Sequence, residues 1–168
     1  MKTSEFIREC AIAYNYNPRP RNGRKVVASV VWDGETLYSY GTHYPLLFKL
    51  PAGPDQVNGR GFFWICNDRG HSNTTAKHIG QARQYSDFNV QLIGHRIDAA
   101  NIIESATQEI SRIDSNIAAT LEKEIQRPHY AHVYRKSVAT YETRKQHLND
   151  LLIAARAAQL LPGKEVTA

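Results

Sequence analysis

Cysteine is scarce in this chain, and long apolar runs are missing. Cys10 and Cys66 are its two cysteines in 168 residues. Neither stands in a Cys-x-x-Cys pair, which argues against both a disulfide framework and a structural zinc site. No stretch approaches the roughly 20 apolar residues of a membrane-spanning helix. The opening residues MKTSEFIREC lack the apolar run of a secretory signal. The expectation is a cytoplasmic protein with reduced thiols and no membrane partner. Catalytic signatures are missing as well. No GxxxxGK[ST] or GxGxxG cradle, no GxSxG elbow and no HExxH pair occurs, so no cofactor and no metal is expected.

Hydrophobic residues make up 42% of the chain, enough to build a core. The net charge of +5 and pI near 9.3 are compatible with a polyanionic partner without requiring one. The pattern predicts an α+β fold: a small antiparallel β-sheet with a short helix, followed by a long C-terminal αα-hairpin. Three segments follow: an N-terminal helix and basic arm (1–24), an antiparallel β domain (25–94) and a helical hairpin (95–168).

Residues 4–14 have the apolar spacing of a short helix. The arm after it, NPRPRNGRK, carries Arg19, Arg21, Arg24 and Lys25, and its prolines and Asn-Gly pair forbid regular structure. Asp33-Gly34 lies between KVVASVVW and TLYSY and predicts a type I′ hairpin with Trp32 opposite Glu35 and Val30 opposite Leu37. FFWICN reads as a third strand and NVQLI, 89–93, as a last one. Asn73 or Thr74 is placed to cap a helix carrying His78, Ala82 and Tyr85 on one side.

Beyond residue 95 the apolar period changes to three and four. Ile103, Ala106, Ile110, Ile113, Ile117, Leu121 and Ile125 mark one long helix, ended near Pro128. Val133 or Tyr134, Val138, Tyr141, Leu148, Leu152 and Ala155 mark a second. Residues 96–126 hold three basic and six acidic side chains, net −3, while 127–164 hold seven basic and two acidic, net +5. Opposite signs favour an antiparallel pair. Such a hairpin either packs on the sheet or projects and forms a homodimer through 97–160.

His43 stands inside YSYGTHYPLLFKL, on the strand face of Ser39 and Gly41. Those small residues make a hollow that seats either a helix or a ligand. His78 is the natural second histidine. With Thr75 beside it, and Tyr40, Tyr44, Lys77 or Arg83 to hold an anion, His43 and His78 could serve as base and acid of a metal-independent, RNase-like phosphodiesterase. A metal held by Asp68, His71 and His78 is a weaker reading, without a supporting motif. Binding to RNA or DNA is a third, through the arm and through Arg135, Lys136, Arg144 and Lys145 on the second long helix.

SYGTHYPL, followed some thirty residues later by SNTTAKHI, resembles a small domain of bacteriophage accessory proteins, with its Tyr-Gly-x-His-aromatic-Pro and Thr-Thr-x-His motifs. The matching positions are Tyr40, Gly41, His43, Tyr44, Pro45, Thr74, Thr75 and His78. The resemblance covers roughly residues 25–85 and leaves the hairpin outside it. It implies a phage setting and a host-cell location rather than a mechanism. Proteins of that kind often act by non-catalytic binding, as inhibitors of host defence do. The partner expected first is therefore a host protein or nucleoprotein complex, with RNA or DNA as a further option. His43 is expected to be structural rather than catalytic.

Overall fold

The computed structural model describes residues 1–12, 25–27, 29–51, 61–93 and 98–160. Arg19, Arg21 and Arg24 of the basic arm lie outside the described residues. Lys25 opens the first strand, but its side chain is outside them too.

Among the described residues six strands form one sheet in sequence order: β1 (Lys25–Val27), β2 (Val30–Trp32), β3 (Thr36–Ser39), β4 (Tyr44–Pro51), β5 (Phe62–Asn67) and β6 (Phe88–Val90). The first five pair antiparallel. β6 pairs parallel with β5, because helix α2 (Asn73–Ala82) carries the chain back across the sheet before β6 begins. The sheet is thus mostly antiparallel, and its last strand is Phe88–Val90 rather than 89–93.

The first hairpin corrects the expected register. Trp32 lies opposite Leu37, and Val30 opposite Ser39. The tight turn centres on Gly34-Glu35, with Gly34 at φ +111°, instead of on Asp33-Gly34. Asp33 acts as an anchor: its carboxylate accepts the Glu35 and Thr36 N–H groups at 3.0 and 2.8 Å. That side-chain bond outcompetes the type I′ geometry. A two-residue slip keeps every side chain on its expected face, so the hydrophobic pattern alone does not detect it.

α1 (Thr3–Ile12) and α2 cover one face of the sheet. Phe6, Ile7, Cys10, Val30, Trp32, Leu37, Trp64, Cys66 and Ile79 make that core. Leu46 and Leu47 both enter it because a bulge falls between Leu37 and Tyr38, leaving Leu46 without a partner on β3. The Trp64 indole donates to the Ala11 carbonyl at 2.9 Å and fixes α1 on the sheet. The Lys49 ammonium closes the edge of this core, 5.0–5.5 Å from the rings of Trp32, Phe62 and Trp64.

The opposite face is covered by the helical pair, α3 (Ala99–Gln126) and α4 (Ala131–Leu160). Asp98 caps α3, accepting the Asn101 N–H at 2.7 Å. Pro128 opens a single 3-10 turn that reverses the chain. Ile102, Ala106 and Ile113 of α3, with Leu148, Leu151, Leu152, Ala154 and Ala155 of α4, pack against Phe48, Leu50, Ile65, Val90 and Leu92. Segments 25–94 and 95–168 therefore meet in a shared core. From residue 114 to residue 147 no side chain is buried, so the hairpin both packs on the sheet and projects beyond it.

Candidate functional site

The strand end that carries His43 is a turn. Tyr40 and Gly41 take positive φ values of 58° and 69°, which breaks the extended backbone. The Tyr40 N–H donates to the Ser29 carbonyl at 2.6 Å, and the His43 N–H reaches the Tyr40 carbonyl at 3.5 Å. A tyrosine in the left-handed region is uncommon. Its effect is to turn Tyr40, Gly41 and His43 out to solvent, all three exposed. His43 is thus on an exposed turn, not in mid-strand.

His78 has the opposite environment. It is buried on α2, with Nδ1 3.0 Å from the hydroxyl of Ser39, which is fully enclosed. The hollow beside Ser39 is filled by a helix, the first of the two expected occupants. Burial, with the positive Lys77 adding to it, holds the His78 imidazole below the ordinary histidine value. A neutral ring bonded to a buried hydroxyl is a satisfied core contact.

Further contacts lie within and beside the two motif halves. Ser72, not Asn73 or Thr74, caps α2: its Oγ accepts the Thr75 N–H at 3.1 Å and lies 2.9 Å from the buried Thr75 hydroxyl. Thr74 is exposed. The Tyr44 ring stacks on His71 with centroids 6.0 Å apart, and its hydroxyl donates to the Arg69 carbonyl. The Pro45 carbonyl accepts the Asn67 amide at 3.1 Å. Burial, reinforced by Cys66 and Asp68, pushes the Tyr44 phenol up to about 12. Burial likewise pushes the Cys66 thiol up to about 12, leaving it protonated and unreactive at neutral pH. Ser39–His78 thus ties the two motif halves together, Tyr44 stacks on His71 just before the second half, and Ser72–Thr75 caps α2.

Asp68 receives Arg83 at 3.5 Å and Arg144 at 3.4 Å. It links the connection to β6 with α4 across the end of the sheet. Among the described residues no three His, Cys, Asp or Glu side chains are grouped to hold a metal ion. The four basic residues singled out on α4 are largely engaged within the chain. Arg135 meets Glu124 at 2.7 Å, Lys145 meets Asp114 at 2.5 Å, and Arg144 meets Asp68. Lys136 is exposed.

A cleft where α4 leaves the sheet is lined by Asp87, Phe88, Asn89, Arg144, His147 and Leu148, and holds about 50 Å³. That is far below the several hundred Å³ of an ordinary small-molecule pocket.

Four of the exposed large hydrophobic side chains lie on the projecting hairpin. Leu121, Ile125, Tyr130 and Val133 are exposed between residues 121 and 133, around the helical turn. Periodicity marks Leu121, Ile125 and Val133 as seam positions and carries no signal for Tyr130. The four-residue spacing of Ile113, Ile117, Leu121 and Ile125 was the available signal. Four residues turn an α-helix by about 400°, so each step drifts roughly 40° around the axis. No family model, curated protein or solved structure matches the chain.

Proposed function

We propose that this is a non-catalytic binding protein: an α+β base that presents the distal helical hairpin to a macromolecular partner. The observation that carries this reading is the exposure of Leu121, Ile125, Tyr130 and Val133 near the end of two helices that no other described element buries. Several large exposed apolar side chains on one part of a surface are a usual mark of a protein contact. The small cleft and the separate environments of His43 and His78 fit the same reading. An acid and a base must reach the same substrate, yet one histidine stands on an exposed turn and the other is bonded to an enclosed serine. A nucleic-acid surface on α4 is favoured less, since three of its four basic residues already meet carboxylates. In the phage setting that the motif resemblance implies, the partner is a protein or nucleoprotein complex of the host.

Two assays test the reading. Labelled RNA and DNA are incubated without metal with wild type and with His43→Ala/His78→Ala; the expected result is no cleavage by either. Cleavage by wild type that the double substitution abolishes would replace the binding reading with the two-histidine one. Host-lysate capture is then compared between wild type and Leu121→Glu/Ile125→Glu. The expected result is a partner retained by wild type and lost by the variant.

A further inference from the structure

Ile113, Ile117, Leu121 and Ile125 form a stripe whose exposure climbs along α3. Ile113 is 3% exposed, Ile117 half-buried, Leu121 45% exposed and Ile125 82% exposed. Over those twelve residues the stripe rotates by about 120°, from the seam shared with α4 onto the open flank of α3. A helix pair that only closed on itself would keep its apolar residues on the seam, by mixing steps of three and four. This one carries them off the seam, beginning where the sheet stops covering the hairpin.

We propose that a second copy of this chain covers that flank, with α3 of each copy lying along α4 of the other in a two-fold four-helix arrangement. This rests on the reading of the hairpin as a binding surface, and names its first partner. Three observations favour a second copy. The chain supplies a further apolar surface, since Tyr130 is exposed in the helical turn and Val133 at the start of α4. The charges alternate correctly. Distal α3 (114–126) carries Asp114, Glu122 and Glu124 against Lys123, net −2, whereas 127–147 carries Arg127, Arg135, Lys136, Arg144 and Lys145 against Glu142, net +4. Glu124–Arg135 and Asp114–Lys145 already join α3 to α4 within one hairpin; setting α3 beside the other copy's α4 repeats that opposite-sign contact on the outer side, and setting like beside like does not. The geometry is also one that helices use, since antiparallel pairs commonly complete their core as four-helix bundles.

The area sets the strength. Two helices about 20 Å long and 10 Å wide offer on the order of 400 Å² per copy, some 800 Å² in total, below the usual range of stable interfaces. Self-association is therefore expected to be weak and concentration-dependent.

Sedimentation velocity across a range of protein concentrations tests this. Wild type should move from 19.0 kDa toward twice that mass as concentration rises. Leu121→Glu/Ile125→Glu should raise the dissociation constant by more than about tenfold. Both side chains are exposed, so the variant should melt with wild type in dilute solution. Ile153→Glu, an exposed apolar position on α4 outside the distal hairpin, should associate as wild type does. A wild type that stays monomeric throughout overturns the proposal, as does association that Ile153→Glu abolishes and Leu121→Glu/Ile125→Glu spares. Lysate capture keeps the two readings apart: a monomeric chain that still loses its partner on Leu121→Glu/Ile125→Glu fails the second-copy proposal and leaves the binding surface standing.

Discussion

The same two helices behave differently in their two halves. In the proximal half Ile102, Ala106, Leu148, Leu151 and Ala155 are buried against the sheet. In the distal half, 114–147, the best-covered side chains are half-buried and Ile125 is almost fully in water. The apolar spacing of α3 continues through both. Amphipathic periodicity therefore identifies a helix and the side it would bury, and leaves open whether anything covers that side. Proximal helix is held by a core, while distal helix is held by its seam and by Glu124–Arg135 and Asp114–Lys145 across it.

The strongest way to break the comparison is to remove a proximal contact. Leu151 is fully buried, and Leu151→Ala should cost about 2–5 kcal/mol through lost transfer energy and the cavity left behind. For a chain of this size that is a drop of roughly 10 °C in melting temperature, measured by circular dichroism. A loss under about 1 kcal/mol would mean that the hairpin is not held by the sheet.

Next in size is the contact beneath the motif. Ser39→Ala leaves the buried His78 Nδ1 without its partner and should cost about 1–2 kcal/mol. The pH profile adds a sign. Burial lowers the folded value of His78 from 6.5, so below that pH the unfolded chain takes up the proton more readily. Stability is complete above about pH 6.5 and falls as the pH drops below it toward the folded value. His78→Gln should flatten that part of the urea-midpoint profile between pH 8 and pH 5. An unchanged slope would show that His78 is not held neutral by its burial.

A smaller effect is expected at the joint between base and hairpin. Asp68→Asn weakens the pairs with Arg83 and Arg144, whose side chains are 50% and 29% exposed. Solvent screening reduces their worth, and about 0.5–1 kcal/mol is the expected loss. Hydrogen exchange should rise more in α4 near Arg144 than in β3. Equal change in both would deny Asp68 a role in seating the hairpin.

What could be read from the chain follows from these energies. α3, α4, β5 and the mostly antiparallel sheet were legible because each needs a repeated apolar pattern, and the pattern is there. The turn at Asp33 was not, because one carboxylate accepting two N–H groups moved the register by two residues without changing any face. Nor was the parallel pairing of β6, since Phe88–Val90 is three residues long and its direction is set by α2. His43 and His78 were legible as a pair in sequence but not in space. The left-handed Tyr40–Gly41 pair turns one out to solvent, while Ser39 draws the other inward.

The smallest expected effect is the one that makes the contrast sharp. Ile125→Ala removes as many carbon atoms as Leu151→Ala, on a helix of similar length. In dilute solution it should change stability by less than about 0.5 kcal/mol, because an isoleucine 82% exposed loses little contact when shortened. The cost of trimming should grow back along the stripe, through Leu121 and Ile117 to Ile113, as each four-residue step returns the side chain toward the seam. A graded series of melting temperatures at those four positions would trace the 40° drift directly. A series in which Ile125→Ala costs as much as Ile113→Ala would mean that the flank is already covered within the monomer.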